Sequence, residues 1–554
     1  MKKEANITIH INGQKIKATK GELLLDVIRK QGINIPTLCH FEGKHSDYPC
    51  RICIVYDENS KSYIPSCNTR ITEELNITTH SPELLKKRSM LLELILANHP
   101  DDCLYCVKNN ACELRLLANE LNVDQRRFHT KEIAFNTDKS SPAITREYAK
   151  CILCGKCVTI CNEVQKCNVL QFNNKGKQSR IEPEFGKLLY QSACVYCGKC
   201  LQVCPTASLY ERENISAFFS SLGNTAQKTI SIFSPILEFD QAITSLNKTA
   251  RSRENHTVSI LRKSGSNHVF SLNPAIDLYL YELLNEFKAT LKENKTLIST
   301  FCPSAELYIQ KSLYNENIKL SALIKPIYFF QKILEHIYPE SKFQLHEFTT
   351  CVAQKHIHAT ESVKDKNYAY TVRELMKIKQ TTSYGNNSSN VKTDEPLHLF
   401  SALSYLPFIP GGMSEAIVRM LSLENNAANN NINFDSFRNV ENFGIVKITL
   451  HQREYSFGII NGMSHIKTAL ETWENRLPAF IEILACPNGC YYGGGASKEN
   501  QNTEFKQFSK QWFEIFDQTL IRYPQRNTQL ISLYQEIKEK QSSDSSLFYI
   551  QKEE

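Results

Sequence analysis

The sequence predicts a multidomain protein of α+β and α/β type, in which small cysteine-rich domains precede a larger α/β domain and a helical end. Three observations lead there. At 554 residues, the chain exceeds the roughly 250–300 residues at which single cores stop growing. Of its 20 cysteines, sixteen lie at or before Cys204 in short repeated spacings, a pattern that suits metal sites in a reducing compartment better than disulfides. Beyond residue 220 short apolar runs alternate with longer helical ones, the signature of an α/β domain.

Composition excludes several classes. An apolar share of 42% and a charged share of 22% describe a folded chain rather than a fibre or a disordered one. The net charge of +7 is small for this length and its lysines are scattered, so charge does not imply nucleic acid. No apolar run reaches the roughly 18–20 residues that span a bilayer, and the start, MKKEANITIHING, leads into no signal core. A cytoplasmic or organellar protein without a transmembrane segment is expected.

Residues 1–85 open with alternating Ile7, Ile9 and Ile11, an Asn12-Gly13 turn and a second strand, and GELLLDVIRKQGI suits a helix packed on that hairpin. Residues 86–135 look helical to about 130, 140–212 hold two dense cysteine runs, 220–500 read as α/β, and 501–554 read as helices packed on that domain. Two polar stretches, 381–394 and 426–437, have little apolar matter to bury and read as insertions. The aromatic-rich segment IYFFQKILEHIY reads as a packed helix, and His356 and His358 as ordinary side chains.

Four groups of potential ligands precede the large domain. Cys39, Cys50, Cys53 and Cys67 place three thiols around one loop and a fourth farther on, enough to give each of two irons two thiolates, although four thiolates also suit zinc. His99, Cys103, Cys106 and Cys112 permit zinc or a cluster with one neutral ligand. The runs Cys151, Cys154, Cys157, Cys161 and Cys194, Cys197, Cys200, Cys204, closed by Pro205, follow the two-cluster pattern in which the fourth cysteine of each run ligates the other cluster. One cluster then takes Cys151, Cys154, Cys157 and Cys204, the other Cys161, Cys194, Cys197 and Cys200. Asn162 replaces a frequent proline there, and Cys167 fits no set and reads as a buried free thiol.

The first group, in IPTLCH, CRICIV and IPSC, resembles the plant-type two-iron ferredoxin domain. NHPDDCLYCVKNNACEL resembles the one-histidine four-iron motif in the large iron–sulfur subunit of respiratory complex I and its soluble hydrogenase relatives. Beyond them ISTFCPSAE, TTCVAQK and ACPNGCYYGGG resemble the three signature loops of the modular iron-only ([FeFe]) hydrogenases, with further likeness in NYAYTVREL, IPGGMSEAIVR and RNTQLISLYQEI. The last segment lies in what resembles the hydrogenase small-subunit region. The resemblance implies a two-lobed α/β catalytic domain and an H-cluster, a four-iron cubane on Cys302, Cys351, Cys486 and Cys490 joined through Cys490 to a diiron centre. It implies one 2Fe–2S and three 4Fe–4S clusters ahead of it, reversible proton reduction, and a ferredoxin or NAD(P)H-oxidising flavoprotein subunit as electron partner. Maturation proteins would supply the diiron centre. A redox sensor or a noncatalytic electron-transfer or assembly subunit is the alternative.

The residues around those cysteines depart from the family. Phe301, after Ser299 and Thr300, stands where a proton-relaying cysteine is usual, and it cannot exchange a proton. The acidic pair farther along that relay falls at Leu278 and Tyr279, with Asp277 and Glu282 nearby. Gln354 replaces a cyanide-facing lysine, with Lys355 one place later. Thr349 and Thr350 replace methionine and proline, and Leu484 a methionine. Ser234-Pro235-Ile236 resembles the upstream pocket loop.

Overall fold

The computed structural model describes residues 6–43, 50–128, 136–224, 226–243, 249–312, 316–339, 342–360, 367–382, 392–424, 432–540 and 548–549. Contacts divide the chain into two bodies, one of Met1–Val164, Asn168–Ser192 and Lys199–Tyr210, the other of Gln165–Cys167, Ala193–Gly198 and Glu211–Glu554.

In the first body β1 (Asn6–Ile11) turns back as β2 (Gln14–Thr19) through Asn12 and Gly13, at φ of 50° and 83°. Both left-handed values fit the type I′ turn that asparagine–glycine favours. With β3 (Ile54–Asp57), β4 (Ser62–Pro65) and β5 (Asn76–Thr78) they make a five-stranded sheet in the order β2-β1-β5-β3-β4. Helix Leu24–Lys30 buries Leu24, Val27 and Ile28 against Ile9, Ile11, Val55 and Ile77. Helix Pro82–Leu96 is capped by the Ser81 hydroxyl, which accepts from Leu84 N. The helical character expected across 86–130 is interrupted: His99–Cys112 holds only two short 3-10 turns, Cys103–Tyr105 and Asn109–Ala111, before helix Glu113–Glu120. Pro100 has no amide hydrogen to continue a helix, and the break leaves the ligand-bearing loop free to curl. Two small sheets follow: β6 (Ile144–Arg146) pairs with β9 (Leu209–Glu211), and β7 (Leu170–Asn173) with β8 (Arg180–Pro183) between the cysteine runs.

The second body holds two sheets. β10 (Lys228–Phe233), β11 (His268–Ser271), β14 (Phe343–Phe348) and β15 (Tyr368–Tyr370) form a wholly parallel sheet in the order β11-β10-β14-β15. β12 (Thr296–Ile298), β13 (Ile318–Leu320), β16 (Phe443–Leu450), β17 (Arg453–Asn461) and β18 (Phe480–Leu484) form the other, ordered β13-β12-β18-β17-β16 and parallel except for the β16–β17 hairpin. The central strands β10, β12 and β18 are buried along nearly their whole length, as strands covered on both faces require. One core cluster joins residues of both sheets, such as Ile230 and Phe457, through helix Asn273–Lys292. The central strands are therefore packed as one unit.

The helices after residue 500 are part of that core. Helix Phe505–Gln518 buries Phe508, Trp512, Ile515 and Phe516, one face at helical spacing. The Trp512 ring lies 4.5 Å from Phe239, 5.4 Å from Tyr405 and 6.1 Å from Phe408. Helix Pro326–Ile337 is the packed element expected of its aromatic segment. Of the two polar stretches, 383–391 and 425–431 lie outside the described residues. Their ends are built in: Asp394 accepts from Val269 N, and Phe437 in helix Asp435–Arg438 is fully buried. Among the described residues no helix is long and apolar enough to cross a membrane.

Trp512→Ala should destabilise the second body by about 3–5 kcal/mol, seen as an earlier calorimetric unfolding transition with the first body's transition unmoved.

Candidate metal centres

The loops that follow β10, β12, β14 and β18 all leave the carboxyl ends of parallel strands, the edge at which open α/β sheets hold ligands. They bring Cys302, Cys351, Cys486 and Cys490 into the wall of one cavity, together with Ser234, Phe301, Thr349, Gln354 and Leu484. Pro235 does not line it; Ser234 and Ile236 do, and Pro235 opens the 3-10 turn Pro235–Phe239 between them. Cys197 also lines the wall, carried by the loop Ala193–Gly198 of the same body. Glycine makes that approach possible, because a Cβ on Gly494 would sit 2.2 Å from Cys197 O and one on Gly493 2.4 Å from Thr350 O.

The two threonines that replace methionine and proline hold backbone. Thr350 Oγ1 donates to Cys490 O (2.8 Å), and Thr349 Oγ1 accepts from Cys351 N (3.2 Å). Burial pushes the Cys302 and Cys351 thiols up, and neighbouring Cys486 adds to it. Thiols so crowded lose their protons readily only to a metal. Gln354 Oε1 is buried without a hydrogen-bond partner, an orphan that a ligand in the cavity can reach. Lys355 is not available to replace the missing lysine, since its Nζ bonds Ala369 O (2.9 Å) and Glu374 Oε2 (2.8 Å). Four thiols and a glycine cradle fit a cubane, and the Gln354 amide on the same wall can present its N–H to an acceptor group attached there.

The relay side is apolar. The Phe301 ring lies 5.7 Å from Tyr279 and 5.5 Å from Phe408, the Tyr279 hydroxyl is buried without a partner, and Leu278 belongs to the core. The nearby acids are spoken for. Asp277 accepts from Ser401 N and Oγ at 2.6 Å each, and Glu282 accepts from Lys538 Nζ (2.8 Å) and Tyr549 OH (3.2 Å).

In the first body the Cys39, Cys50, Cys53 and Cys67 sulfurs converge. Cys50 N donates to Cys39 Sγ (3.4 Å), Cys53 Sγ lies 3.1 Å from Cys67 Sγ, and hydrogen bonding with Cys39 and Cys53 drives the Cys67 thiol up. His99 lines a pocket with Cys103 and Cys112, and Cys106 is in the same loop, its N donating to Cys103 O (3.2 Å). His99 Nδ1 lies 3.0 Å from Pro100 O while Nε2 is buried without a partner. A proton on Nδ1 leaves the Nε2 lone pair for a metal.

Cys151, Cys154, Cys157 and Cys204 line one small cavity with Arg146, and Cys161 does not. Arg146 is 1% exposed and all three guanidinium nitrogens lack a hydrogen-bond partner. An unpaired buried cation costs several kcal/mol, and an anionic cluster on four thiolates would offset it. Of the remaining ligands, Cys194 and Cys197 belong to the second body and Cys161 and Cys200 to the first. Cys167 is half-buried, its thiol 3.6 Å from Gln165 O. Among the described residues no three His, Cys, Asp or Glu side chains close on a single ion; cluster ligands sit on separate irons and stand farther apart than the four sulfurs around one zinc.

Family models match along the chain in the same order as these sites. "2Fe-2S iron-sulfur cluster binding domain" covers 4–82, "NADH-ubiquinone oxidoreductase-G iron-sulfur binding region" 88–127, "4Fe-4S dicluster domain" 150–208, and "Iron only hydrogenase large subunit, C-terminal domain" 228–494. The chain is a modular iron-only hydrogenase-like protein. It is 27% identical to the NADP-reducing hydrogenase subunit HndD of Solidesulfovibrio fructosivorans over 98% of this chain and 97% of that one. It is 25% identical to iron hydrogenase 1 of Clostridium pasteurianum over 95% and 96%. A variant of the [FeFe]-hydrogenase HydA1 from Chlamydomonas reinhardtii shares its fold at a TM-score of 0.50 and 14% identity, covering 61% of this chain and 98% of that one. This hydrogenase-like protein is thus an iron–sulfur electron-transfer protein with 2Fe–2S, 4Fe–4S and H-cluster domains. Sequence reading missed Arg146, whose only signal is its place five residues before Cys151.

Arg146→Met should make the cluster in that cavity harder to reduce, with at least a tenfold change in its reduced-to-oxidised ratio at fixed potential, about 59 mV for one electron, read by electron paramagnetic resonance titration. Burial holds the Asp277 carboxyl at about 7 against an ordinary 3.8. Across that window the folded chain keeps a proton that the unfolded chain has lost, so stability falls as pH rises, by about 1.4 kcal/mol per unit. Asp277→Asn should remove that slope in unfolding measured from about pH 4 to 7.

Proposed function

We propose that the protein passes single electrons along its iron–sulfur clusters to an H-cluster in the second-body cavity and there interconverts protons and hydrogen slowly. The carrying observation is the meeting of Cys302, Cys351, Cys486 and Cys490 with the orphaned Gln354 amide in one cavity whose wall includes Cys197. The assignment is one 2Fe–2S cluster on Cys39, Cys50, Cys53 and Cys67, a four-iron cluster on His99, Cys103, Cys106 and Cys112, and two on the ferredoxin runs. Its working domains are 1–85, 86–135, 140–212, 220–500 and 501–554.

When bound, the cubane supplies the last electron site and the diiron centre the redox chemistry of 2H⁺ + 2e⁻ ⇌ H₂. The chain's own residues do the rest. Thr350 holds the Cys490 carbonyl and so sets the bridging thiol. Gln354 offers a neutral amide where the family has a lysine, and gives up the charge assistance that makes such bonds roughly twice as strong. Phe301, Ile236 and Leu484 keep water from that wall, while Ser234 and Thr349 leave it two hydroxyls.

No dinucleotide fingerprint is present in the sequence, so a nicotinamide would sit on a partner. The NADP-reducing relative supports an NAD(P)H-oxidising flavoprotein subunit, or else a small ferredoxin, in a cytoplasmic setting; dedicated maturation proteins would build the diiron centre. The apolar contact of Phe301 with Tyr279 and Phe408 favours one second reading, a cofactor-bearing sensor that reacts without sustained turnover.

Anaerobic infrared spectroscopy of protein made with the maturation machinery should show carbonyl and cyanide bands that respond to hydrogen, with hydrogen accumulating in the headspace under reductant. Responsive bands without gas would select the sensor. No bands after verified maturation would leave an electron-transfer or assembly subunit.

A further inference from the structure

An acid–imidazole pair stands at the cavity wall, unused by any cluster assignment. Glu347 lies in β14, in register with Ile232 of β10 and Ala369 of β15. Glu347 is among the residues that line the cavity and is 1% exposed. Glu347 Oε2 is 2.7 Å from His358 Nε2, and His358 Nδ1 is buried with no hydrogen-bond partner. His358 follows Gln354 by four residues on helix Gln354–Thr360, so the two share a helix face.

The groups around the pair lead outward. The Tyr328 ring lies 6.0 Å from the His358 ring, and its hydroxyl donates to Ile357 O (3.2 Å). Three residues on along the same helix, Gln331 donates to Glu335 Oε1 (2.8 Å), whose side chain is 42% exposed. His346 points to the opposite face of β14 and pairs with the Tyr370 hydroxyl (2.9 Å).

We propose that Glu347 and His358 are the proton relay of this cavity, a route on the β14 side that does not pass Phe301. The inference rests on the hydrogen turnover proposed above. For each hydrogen molecule formed, two electrons arrive through the clusters and two protons pass in turn. The pair rests with one exchangeable proton: the Glu347 carboxyl O–H bond breaks toward the cavity, the neutral His358 imidazole turns its bare Nε2 to the Tyr328 side and takes a proton there, and on turning back it passes that proton from Nε2 to the carboxylate, keeping its Nδ1 proton throughout. Hydrogen oxidation runs the same transfers backwards. With one exchangeable proton the pair is neutral overall whichever group holds it, and it carries a net charge only between release to the cavity and uptake from the Tyr328 side.

The test uses the full chain loaded by the maturation enzymes. Glu347→Gln can still accept from His358, so a pair that only ties the helix to β14 would be untouched. As a relay it should lose hydrogen evolution by about a hundredfold while keeping the carbonyl and cyanide bands, with Glu347→Asp recovering part. The readout independent of turnover is a protonated-carboxyl stretch in the reduced-minus-oxidised infrared difference spectrum. It should be present in wild type, shift in D₂O and vanish in Glu347→Gln. If that variant fails to load, His358→Asn carries the same turnover test and should show the same loss with the carboxyl stretch no longer responding to reduction. Unchanged turnover, or a carboxyl signal that persists in Glu347→Gln, overturns the relay and leaves the hydrogenase reading standing. A loaded wild type with bands and no hydrogen overturns both.

Discussion

Burying several thiols and charges together, away from water, is the constraint that shapes each site in this chain. A lone buried thiolate or guanidinium costs several kcal/mol, so sulfur ligands can be gathered in an apolar interior only if something else there balances them. In the second-body cavity burial and neighbouring thiols raise Cys302 and Cys351, and the Arg146 cavity holds a cation that meets the Tyr148 ring but has no hydrogen-bond partner. Each is an incomplete electrostatic arrangement in the polypeptide by itself. An iron–sulfur cluster would close both, taking the protons' place on sulfur in one and meeting the guanidinium with net negative charge in the other.

The fold supplies the means of gathering. Parallel strands that end at one edge send their loops to a common point, and the packing of both sheets on helix Asn273–Lys292 fixes where that point is. Precision then comes from backbone contacts rather than from bulky side chains. Gly493 and Gly494 remove the Cβ atoms that would hold the loops apart, and Thr350 binds the Cys490 carbonyl. The threonines at 349 and 350 are therefore not neutral: their hydrogen bonds hold the backbone of the Cys351 and Cys490 loops.

Much of this was legible in the residues. The Asn12-Gly13 hairpin and its helix follow from local rules, because turn chemistry and apolar alternation act over a few residues. The cysteine sets were legible because ligand spacing within one loop is itself a geometric statement. What escaped was whatever depends on contacts distant in sequence. The break of helix at His99–Cys112 is the exception, with a local signal in Pro100 that periodicity alone passes over, and only the fold shows how many residues of helix Phe505–Gln518 enter the second-body core. Lys355 stands one place beyond Gln354 in sequence, but Glu374, nineteen residues on, holds it away from the cavity's polar position.

Phe301 and Glu347 belong to one argument about where a proton can travel. A thiol replaced by phenylalanine, against Tyr279 and Phe408, turns one wall of the cavity apolar, and the nearby acids are tied up: Asp277 to Ser401, Glu282 to Lys538 and Tyr549, Glu286 to Ser321 and Glu306 to Lys325. A carboxyl on the interior face of a parallel strand is an expensive residue to keep for packing alone, since a valine or isoleucine would fill the space without desolvating a charge. His358 makes it tolerable by sharing a proton with it. Loss of a proton-exchanging group on one wall and presence of a proton-sharing pair on another are the two changes that a rerouted relay requires together; a cavity that had merely lost its chemistry would need only the first.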